Sequence, residues 1–418
     1  MKVAFVIPAV QPSCGIGAVV EHARGLREDH GFDASLVLNR DGPAPSATHG
    51  LESVRVLPLQ KAQQLEYDIV VATAWETAYA LFTLRSARFA CFVQSLEDRF
   101  FPPERAAERF GAALTHGLPV AFITQARAIA DTLRALRPDA SCYLVRDGVD
   151  KDVFALPDYA DVRLEGPLRI LAEGRPSVWF EGVREAVAAV SRMEAPHYLT
   201  VVTSDPPGLP AHGYERVLGP LPQRELARRY HETDVLLRLP RVEAASGPPL
   251  EAFHCGATCV ATPASGHDEW MEHGWNGLVV DWDDERGTAR LLDLLARDRR
   301  LLHFLRTNAL ATARSWPSWS HSTQFMAAAL ETIRARPGAW SQAAGLRIVS
   351  DFRVGVELSR LGRDPLPYAD ANLSWAPHAF HTLVAKRWVR ILARPARPLY
   401  RRLRTRLVRR IAESSYTR

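Results

Sequence analysis

Cysteine is scarce in this chain, and long apolar runs are missing from it. Its five cysteines among 418 residues are scattered and lack the spacing of metal ligands; they are Cys14, Cys91, Cys142, Cys255 and Cys259. The scarcity argues against a disulfide scaffold and a zinc site and favours a reducing compartment. Because neither a basic start followed by an apolar run nor a stretch of transmembrane length is visible, we expect a cytoplasmic protein.

The composition also lacks the extremes that mark non-globular chains. Hydrophobic residues make up 47% and charged residues 24% of the sequence, as in ordinary globular proteins. Disorder and collagen-like repeats are therefore excluded. At about 100 to 200 residues per domain, the length predicts two or three domains.

Positive charge is concentrated at one end of the chain. The formal net charge is +5, yet residues 386–418 contain twelve Lys or Arg and one acid, a local +11. The other residues hold 40 basic and 46 acidic side chains, a net −6. This asymmetry is typical of an arm that meets anionic lipid, nucleic acid or an acidic partner, and a solvated Arg-rich helix is the alternative.

The basic tail, residues 386–418, also has an apolar stripe. Leu399, Leu403, Leu407 and Ile411 are spaced by four, as in an amphipathic helix. The aromatic residues of the tail lack the regular interleaving of a platform that stacks bases, which argues against nucleic acid. We therefore predict that the tail binds an anionic membrane surface and holds the protein at the inner face of the membrane.

Apolar runs bounded by turn residues alternate with helical patterns along most of the chain, which is typical of parallel βαβ architecture. Two series of strands are separated by an Asp- and Pro-rich break at 150–167. Strands are predicted at 3–7, 34–38, 69–72, 90–93, 120–123 and 142–145, and then at 168–172, 198–203, 216–218, 235–239, 259–261 and 277–281. Helices in the second half are predicted at 182–193, 223–231, 249–255 and from 317 to about 335.

The two series predict an α/β protein with two doubly wound, Rossmann-like domains at 1–155 and 165–335. Residues 336–418 form a C-terminal extension, which is punctuated by Pro and Gly to about 377 and ends in the basic tail. Ligands of open parallel sheets bind beyond the carboxyl ends of the strands. Two such domains that face each other predict a site in the cleft between them.

Two carboxylates stand eight positions apart where a strand gives way to a helix. Glu251 lies one turn into the predicted helix and can accept both hydroxyls of a ribose, and Glu243 precedes the turn and can hold a sugar hydroxyl. The amides of Ser246, Gly247 and Leu250 would face a pyrophosphate at the helix N-terminus. A capping acid and an unrelated surface acid are the alternative interpretation.

Other residues with binding chemistry follow strands of the same predicted sheet. Gly174 and Arg175 come directly after the strand at 168–172, where an arginine can bridge phosphate oxygens bidentately. Gly266 follows the strand at 259–261 and offers a second close turn. These positions predict that one cleft holds the diphosphate of a nucleotide sugar.

Two glycines after the first strand predict a close backbone approach from the other domain. Gly15 and Gly17 could belong to an NAD fingerprint, but Val20 replaces its third glycine. The second strand also ends without the acid that binds ribose in NAD proteins. A nucleotide-sugar cleft therefore explains them better.

Acidic and histidine-rich segments raise the alternative of a metal site. Asp281 and Asp283, like Asp150 and Asp152, have the Asp-x-Asp spacing that can hold a divalent cation and a diphosphate. The histidines do not form a pair at i and i+4 with an acid between them, which argues against a zinc hydrolase. We predict no metal and no cofactor other than the nucleotide-diphosphate sugar as co-substrate.

Together these residues resemble the retaining glycosyltransferases of family 4, which have the GT-B fold. The similarity covers most of residues 140–335 and combines Arg175 with the pair Glu243 and Glu251. Its further motifs are RDGVD at 146–150, Phe154, GATCVAT at 256–262, Glu269 and NGLVV at 276–280. In the first domain Gln94, Glu97 and Phe100 are faintly similar to the rhamnosyltransferase-like branch.

The resemblance implies a function and roles for three residues. It implies transfer of a hexose, with retention and without metal, from a nucleotide-diphosphate sugar to a glycan or lipid-linked acceptor. Glu251 would bind ribose, Glu243 would contact the donor sugar, and Arg175 would neutralise the leaving diphosphate. The leaving phosphate itself would take the acceptor's proton, so no protein base is required.

Two positions depart from the pattern of the family. Glu181 stands where the family usually has a lysine, so a second cation for the phosphates is missing unless Arg184 supplies it. On the acceptor side, the usual histidine has no clear equivalent, and Gln94 or Glu97 lies nearest to its expected place. A catalytically degenerate binding protein, or an epimerase or phosphorylase of the same architecture, therefore remains an alternative.

Overall fold

The computed structural model describes residues 1–8, 14–39, 51–155, 165–243, 247–336 and 342–360. The chain divides into two compact units. Met1–Ile348 holds two parallel β-sheets with their helices, and of Val349–Arg418 only the last turns of one helix are described. Among the described residues, no helix is both long and apolar enough to cross a membrane.

The first sheet has seven parallel strands in the order β3-β2-β1-β4-β5-β6-β7. These strands are β1 (Lys2–Ile7), β2 (Asp33–Leu38), β3 (Arg55–Pro58), β4 (Glu66–Ala72), β5 (Arg85–Val93), β6 (Ala121–Thr124) and β7 (Cys142–Leu144). The helices between them are α1 (Cys14–Glu28), α2 (Leu59–Ala62), α3 (Trp75–Ala78), α4 (Ala106–Thr115) and α5 (Arg127–Leu136).

The second sheet has six parallel strands in the order β10-β9-β8-β11-β12-β13. They are β8 (Leu168–Glu173), β9 (His197–Val202), β10 (Arg216–Leu218), β11 (Val235–Arg238), β12 (Thr258–Ala261) and β13 (Gly277–Val279). The helices of this half are α6 (Val183–Val190), α7 (Gln223–His231), α8 (Gly247–His254), α9 (Glu285–Arg297), α10 (Arg299–Ser315), α11 (Trp319–Ala335) and α12 (Gln342–Arg360).

The central strands are apolar throughout because helices cover both faces of each sheet. Five of the six residues of β1 are buried, as are all four residues of β6, β11 and β12. Continuous apolar runs of this kind are what sheets buried on both faces require. For this reason the predicted strands agree with the observed ones to within a few residues.

Helix α11 belongs by sequence to the second half but packs on the first sheet. Met326, Leu330 and Ile333 join the hydrophobic core that covers β1, β2 and α1. The approach to α1 is close, because a Cβ at Gly25 would lie 2.9 Å from Thr323 Cγ2. The chain therefore returns to the first sheet after it completes the second.

Strand β3 and helix α12 are among the elements that the sequence analysis did not name. Strand β3 is a four-residue edge strand that ends at Pro58, too short to show a clear pattern. Helix α12 forms within the segment that we described as punctuated by Pro and Gly. Glycine normally weakens a helix, but Gly345 is required because a Cβ at this position would lie 2.3 Å from the Phe82 ring.

Candidate active site

The carboxyl ends of β8, β11 and β12 lie side by side and form the floor of the candidate site. Leu237 of β11 pairs with Ala172 of β8 on one side and with Val260 of β12 on the other. The parallel register brings the residues that follow these strands to one edge of the sheet. The side chains that we predicted from separate motifs therefore meet there.

Arg175 leaves the end of β8 through a turn that requires glycine. Gly174 has a φ of +132°, and a Cβ there would lie 2.8 Å from Glu181 Oε2. Arg175 is half exposed, and its guanidinium donates to Glu181 Oε1 from Nε at 2.9 Å and from Nη2 at 2.5 Å. Its backbone amide donates to Glu181 Oε2 at 2.5 Å. Arg175, the predicted phosphate ligand, is thus held by Glu181.

Arg238 is a second cation in the site, and the sequence analysis missed it. It is the last residue of β11 and is buried, with 8% of its surface exposed. Its Nη1 donates to the carbonyl of Glu173 at 2.8 Å, and its Nη2 donates to Glu243 Oε1 at 2.7 Å. An arginine that ends an otherwise apolar strand was the signal that could have identified it. Glu243 is therefore held at the carboxyl end of β11 by a partly buried ion pair.

Glu251 lies at the start of α8, close to the helix N-terminus. A Cβ at Gly247 would lie 3.8 Å from Glu251 Oε1, so the carboxyl group is near the first turn. Burial, followed by the charges of Glu173 and Asp150, raises the pKa of Glu251 to about 8. Leu250 is buried beneath the turn, and Ser246 lies outside the described residues.

A buried tyrosine joins Glu173 to this cluster. The Tyr230 hydroxyl donates to Glu173 Oε2 at 2.8 Å, and the tyrosine is fully buried. Burial raises the pKa of Glu173 and raises the pKa of Tyr230 well above its ordinary value. Glu173 therefore joins three elements, because its backbone carbonyl accepts from Arg238 of β11 and its carboxyl group accepts from Tyr230 of α7.

On the first sheet, Gly15 and Gln94 lie together where β1 and β5 end. A Cβ at Gly15 would lie 3.2 Å from Gln94 Oε1, whereas one at Gly17 would meet nothing within 4 Å. Gln94 Nε2 donates to the carbonyl of Thr73 at 3.3 Å. Gln94 Oε1 is buried and accepts no hydrogen bond from any described residue. Gly15 therefore leaves the room that the Gln94 amide occupies.

Glu97 lies three residues further along, in a short 3₁₀ turn. Its Oε2 accepts the backbone amide of Trp75 at the start of α3. Burial raises the pKa of Glu97 to about 8, and the neighbouring charges of Glu76 and Asp98 act in the same direction. Glu97 is therefore mostly neutral near pH 7.

The loop between β8 and α6, residues 174–182, reaches the first domain. The Trp179 indole donates to the carbonyl of Phe100 at 3.1 Å. The Phe180 ring stacks on the Phe100 ring with centroids 4.8 Å apart and planes 16° apart. The β8–α6 loop therefore contacts the 3₁₀ turn that carries Glu97.

A second bridge joins the domains through the turn at Gly266. Gly266 has a φ of +82°, and beside it Ser265 Oγ accepts from Arg99 Nη1 at 2.8 Å. Glu269, at the end of the same turn, accepts from Arg146 at 2.9 Å and from the backbone amide of Arg127. Gly266 thus belongs to a contact between the domains.

The remaining predicted residues are Arg184 and the pair Asp281 and Asp283. Arg184 is exposed on the first turn of α6. Asp283 pairs bidentately with Arg241, and Asp281 is exposed. Over the ranges that the structure describes, no group of three or more His, Cys, Asp or Glu could hold a metal ion.

The sequence of the second domain matches a known family. Residues 167–298 match the model of the family described as glycosyl transferases group 1. This segment contains Arg175, Arg238, Glu243 and Glu251. No curated protein matches the chain.

Solved structures match the chain over both sheets. HepE from Anabaena, in complex with UDP-glucose, has a TM-score of 0.66 and 16% identity, and the match covers 79% of this chain and 100% of that one. Sucrose-phosphate synthase from Thermosynechococcus elongatus has a TM-score of 0.66 and 15% identity, with coverages of 80% and 99%. The fold is GT-B. The pneumococcal O-GlcNAc transferase GtfA, in complex with UDP and GlcNAc, has a TM-score of 0.62 and 11% identity, with coverages of 80% and 99%.

The predicted fold class is thereby confirmed: two doubly wound parallel sheets in the GT-B arrangement. The finer assignment, to family 4 and its rhamnosyltransferase-like branch, stays a prediction. The predicted basic tail lies outside the described residues.

Proposed function

We propose that this GT-B protein is a retaining, metal-independent glycosyltransferase. It transfers a hexose from a nucleotide-diphosphate sugar to a glycan or lipid-linked acceptor. The observation that carries the proposal is the cluster at the carboxyl ends of β8 and β11, where Arg175 pairs with Glu181 and Arg238 pairs with Glu243. The match of the same segment to the group 1 glycosyltransferases supports it.

The donor half of the proposed site has a group for each part of a nucleotide sugar. Arg175 is exposed enough to receive a diphosphate, and a guanidinium holds phosphate oxygens bidentately. The amides of Gly247 and Leu250 at the start of α8 add a partial positive charge for the same anion. Glu251 is mostly protonated near pH 7, so its carboxyl group can both donate to and accept from a ribose diol.

The chemistry requires stabilisation of the departing diphosphate more than a protein base. Charge builds on the leaving phosphate as the bond to the sugar breaks, and fixed cations in a closed cleft stabilise that charge without reorganisation. Arg175 meets the diphosphate, and Arg238 acts through Glu243, which it holds toward the sugar. In the retaining mechanism that we propose, the leaving phosphate takes the acceptor's proton on the same face.

The acceptor half of the proposed site lies on the first sheet. Gln94 Oε1 is buried and meets no donor within the described ranges, so it would accept from a sugar hydroxyl once the side chain turns toward the ligand. Glu97, which is mostly neutral near pH 7, can donate a hydrogen bond there. The net charge of +11 on residues 386–418 supports a peripheral location of the protein at the inner, anionic face of a membrane, where lipid-linked acceptors lie.

The experiment that tests the proposed function is a donor screen followed by product analysis. Purified protein is heated with a panel of nucleotide sugars that begins with UDP-glucose, the ligand of the HepE structure. A true donor at about 100 times its dissociation constant adds about 2.7 kcal/mol to the stability. Nuclear magnetic resonance of the transfer product then reports the anomeric configuration. Inversion would refute retention, and no stabilisation by any nucleotide sugar would refute the donor site.

One observation favours a second function. Because Glu181 already neutralises Arg175, the protein could bind a sugar nucleotide without turning it over. In that case the donor screen would show stabilisation, while neither transfer nor donor hydrolysis would be detected with any acceptor. This outcome would identify a binding protein on a glycosyltransferase scaffold.

A further inference from the structure

Glu181 already binds Arg175, the arginine that the diphosphate of the proposed donor needs. The Arg175–Glu181 contact comprises three hydrogen bonds, of which two come from the guanidinium and one from the backbone amide of Arg175. The Glu181 side chain is only 16% exposed, whereas Arg175 is 51% exposed. The carboxylate is therefore the more buried partner of the pair.

The β8–α6 loop is built so that Glu181 folds back in this way. The amide of Val178 donates to the carbonyl of Arg175 at 3.0 Å, and the amide of Glu181 donates to the carbonyl of Val178 at 3.1 Å. Gly182 follows with a φ of +73°, and a Cβ there would lie 1.9 Å from the carbonyl oxygen of Leu239. These contacts fix the backbone on both sides of Glu181, so its carboxylate returns to the start of the loop.

A carboxylate and a phosphate present the same pair of oxygens to a guanidinium. Glu181 and a diphosphate therefore compete for the Nε–Nη2 edge of Arg175, and they repel each other because both are anions. A ligand that binds this edge bidentately must displace the carboxylate. A ligand that stops short of Arg175 is unaffected.

We propose that Glu181 is a gate of the donor site. Resting on the proposed function, this inference states how the chain limits access of the donor to Arg175. Glu181 competes with the diphosphate for this arginine and so weakens the binding of every ligand that carries a diphosphate. Ligands that carry the same nucleoside but lack the diphosphate do not engage Arg175, so Glu181 leaves their binding unchanged.

The competing interpretation is that Glu181 positions Arg175 for the diphosphate. The two roles predict opposite signs for the same substitution. If Glu181 competes, Glu181→Gln removes the charge and strengthens the binding of a diphosphate. If Glu181 positions the arginine, the same change weakens that binding.

Isothermal titration calorimetry of the full chain with UDP and with uridine decides between them. We expect Glu181→Gln to bind UDP about tenfold more tightly than the parent, the scale of one charged hydrogen bond. We expect uridine to bind both proteins equally. Glu181→Asp keeps the charge and should resemble the parent, and Glu181→Ala provides a second neutral variant if the glutamine variant does not fold.

Glu185→Gln is the matched control. It lies one turn further along, makes the same change of charge, and contacts Arg241 at 3.7 Å instead of Arg175. We expect its affinity for UDP to stay within about twofold of the parent, since surface pairs contribute little.

Each outcome has a meaning. Equal or weaker UDP binding by folded Glu181→Gln or Glu181→Ala would overturn the gate and leave the donor site standing. An equal gain for uridine would also overturn it, since the effect would not pass through Arg175. If neither the parent nor any variant binds UDP or another nucleoside diphosphate, the proposed function is wrong, and the gate is wrong with it.

Discussion

Replacement of Glu251 by glutamine should remove a pH dependence of stability that the fold creates. Burial and two neighbouring acids raise the pKa of Glu251 from an ordinary 4.5 to about 8. Between these values the folded chain holds a proton that the unfolded chain has lost, so the free energy of unfolding falls as pH rises. Because glutamine cannot ionise, Glu251→Gln does not undergo this loss of stability as pH rises.

The magnitude follows from the two pKa values. Each unit by which folding raises the pKa is equivalent to about 1.4 kcal/mol. The difference in stability between Glu251→Gln and the parent should thus grow with pH from about 4.5 to about 8, by at most ~5 kcal/mol, and then level off. Partial solvent access at the helix N-terminus will reduce the observed value.

Urea unfolding of parent and variant at pH 5.0, 6.5 and 8.5 measures this difference. Other acids with raised pKa, such as Glu97 and Asp147, are present in both proteins and cancel in the comparison. A constant difference for Glu251→Gln would refute the assignment of the raised pKa to this carboxyl.

Three further predictions concern activity and location. Arg175→Ala and Glu251→Ala should each lower the rate of transfer by roughly 10²-fold or more, because each removes one preorganised contact to the donor. The circular dichroism spectrum should stay that of the parent, and near-parental turnover would contradict the site. Transfer should continue in excess EDTA, because arginine and a helix N-terminus meet the phosphate charge; loss of activity that manganese or magnesium restores would move the site to Asp281 and Asp283. Full-length protein should float with anionic vesicles at low salt, and a chain that ends at Ala385 should not. Each Lys or Arg near the membrane surface contributes about 1 kcal/mol to binding, so equal flotation of both proteins would contradict a role for the tail.

The sequence alone determined the class of the fold and led to the prediction of a site at the carboxyl ends of the strands. Buried parallel strands are short apolar runs between turn residues, and helical patterns alternate with them, so local composition is sufficient to predict them. Arg175 was identifiable because it follows a strand, and Glu251 because it lies in the first helix after the next strand of the site. Resemblance to a known family added roles, and those roles remain predictions.

Only the tertiary structure revealed what surrounds these residues. Arg238 holds Glu243 and the carbonyl of Glu173, a contact that depends on β11 lying beside β8 although 65 residues separate them. Strand order is a long-range choice that no local pattern contains. The same holds for Phe100 and Phe180, which come together only because the two domains meet. The pairing of Arg175 with Glu181 required the strained glycine turn that folds the loop back, so an apparent substitution in a motif became a contact with a testable role.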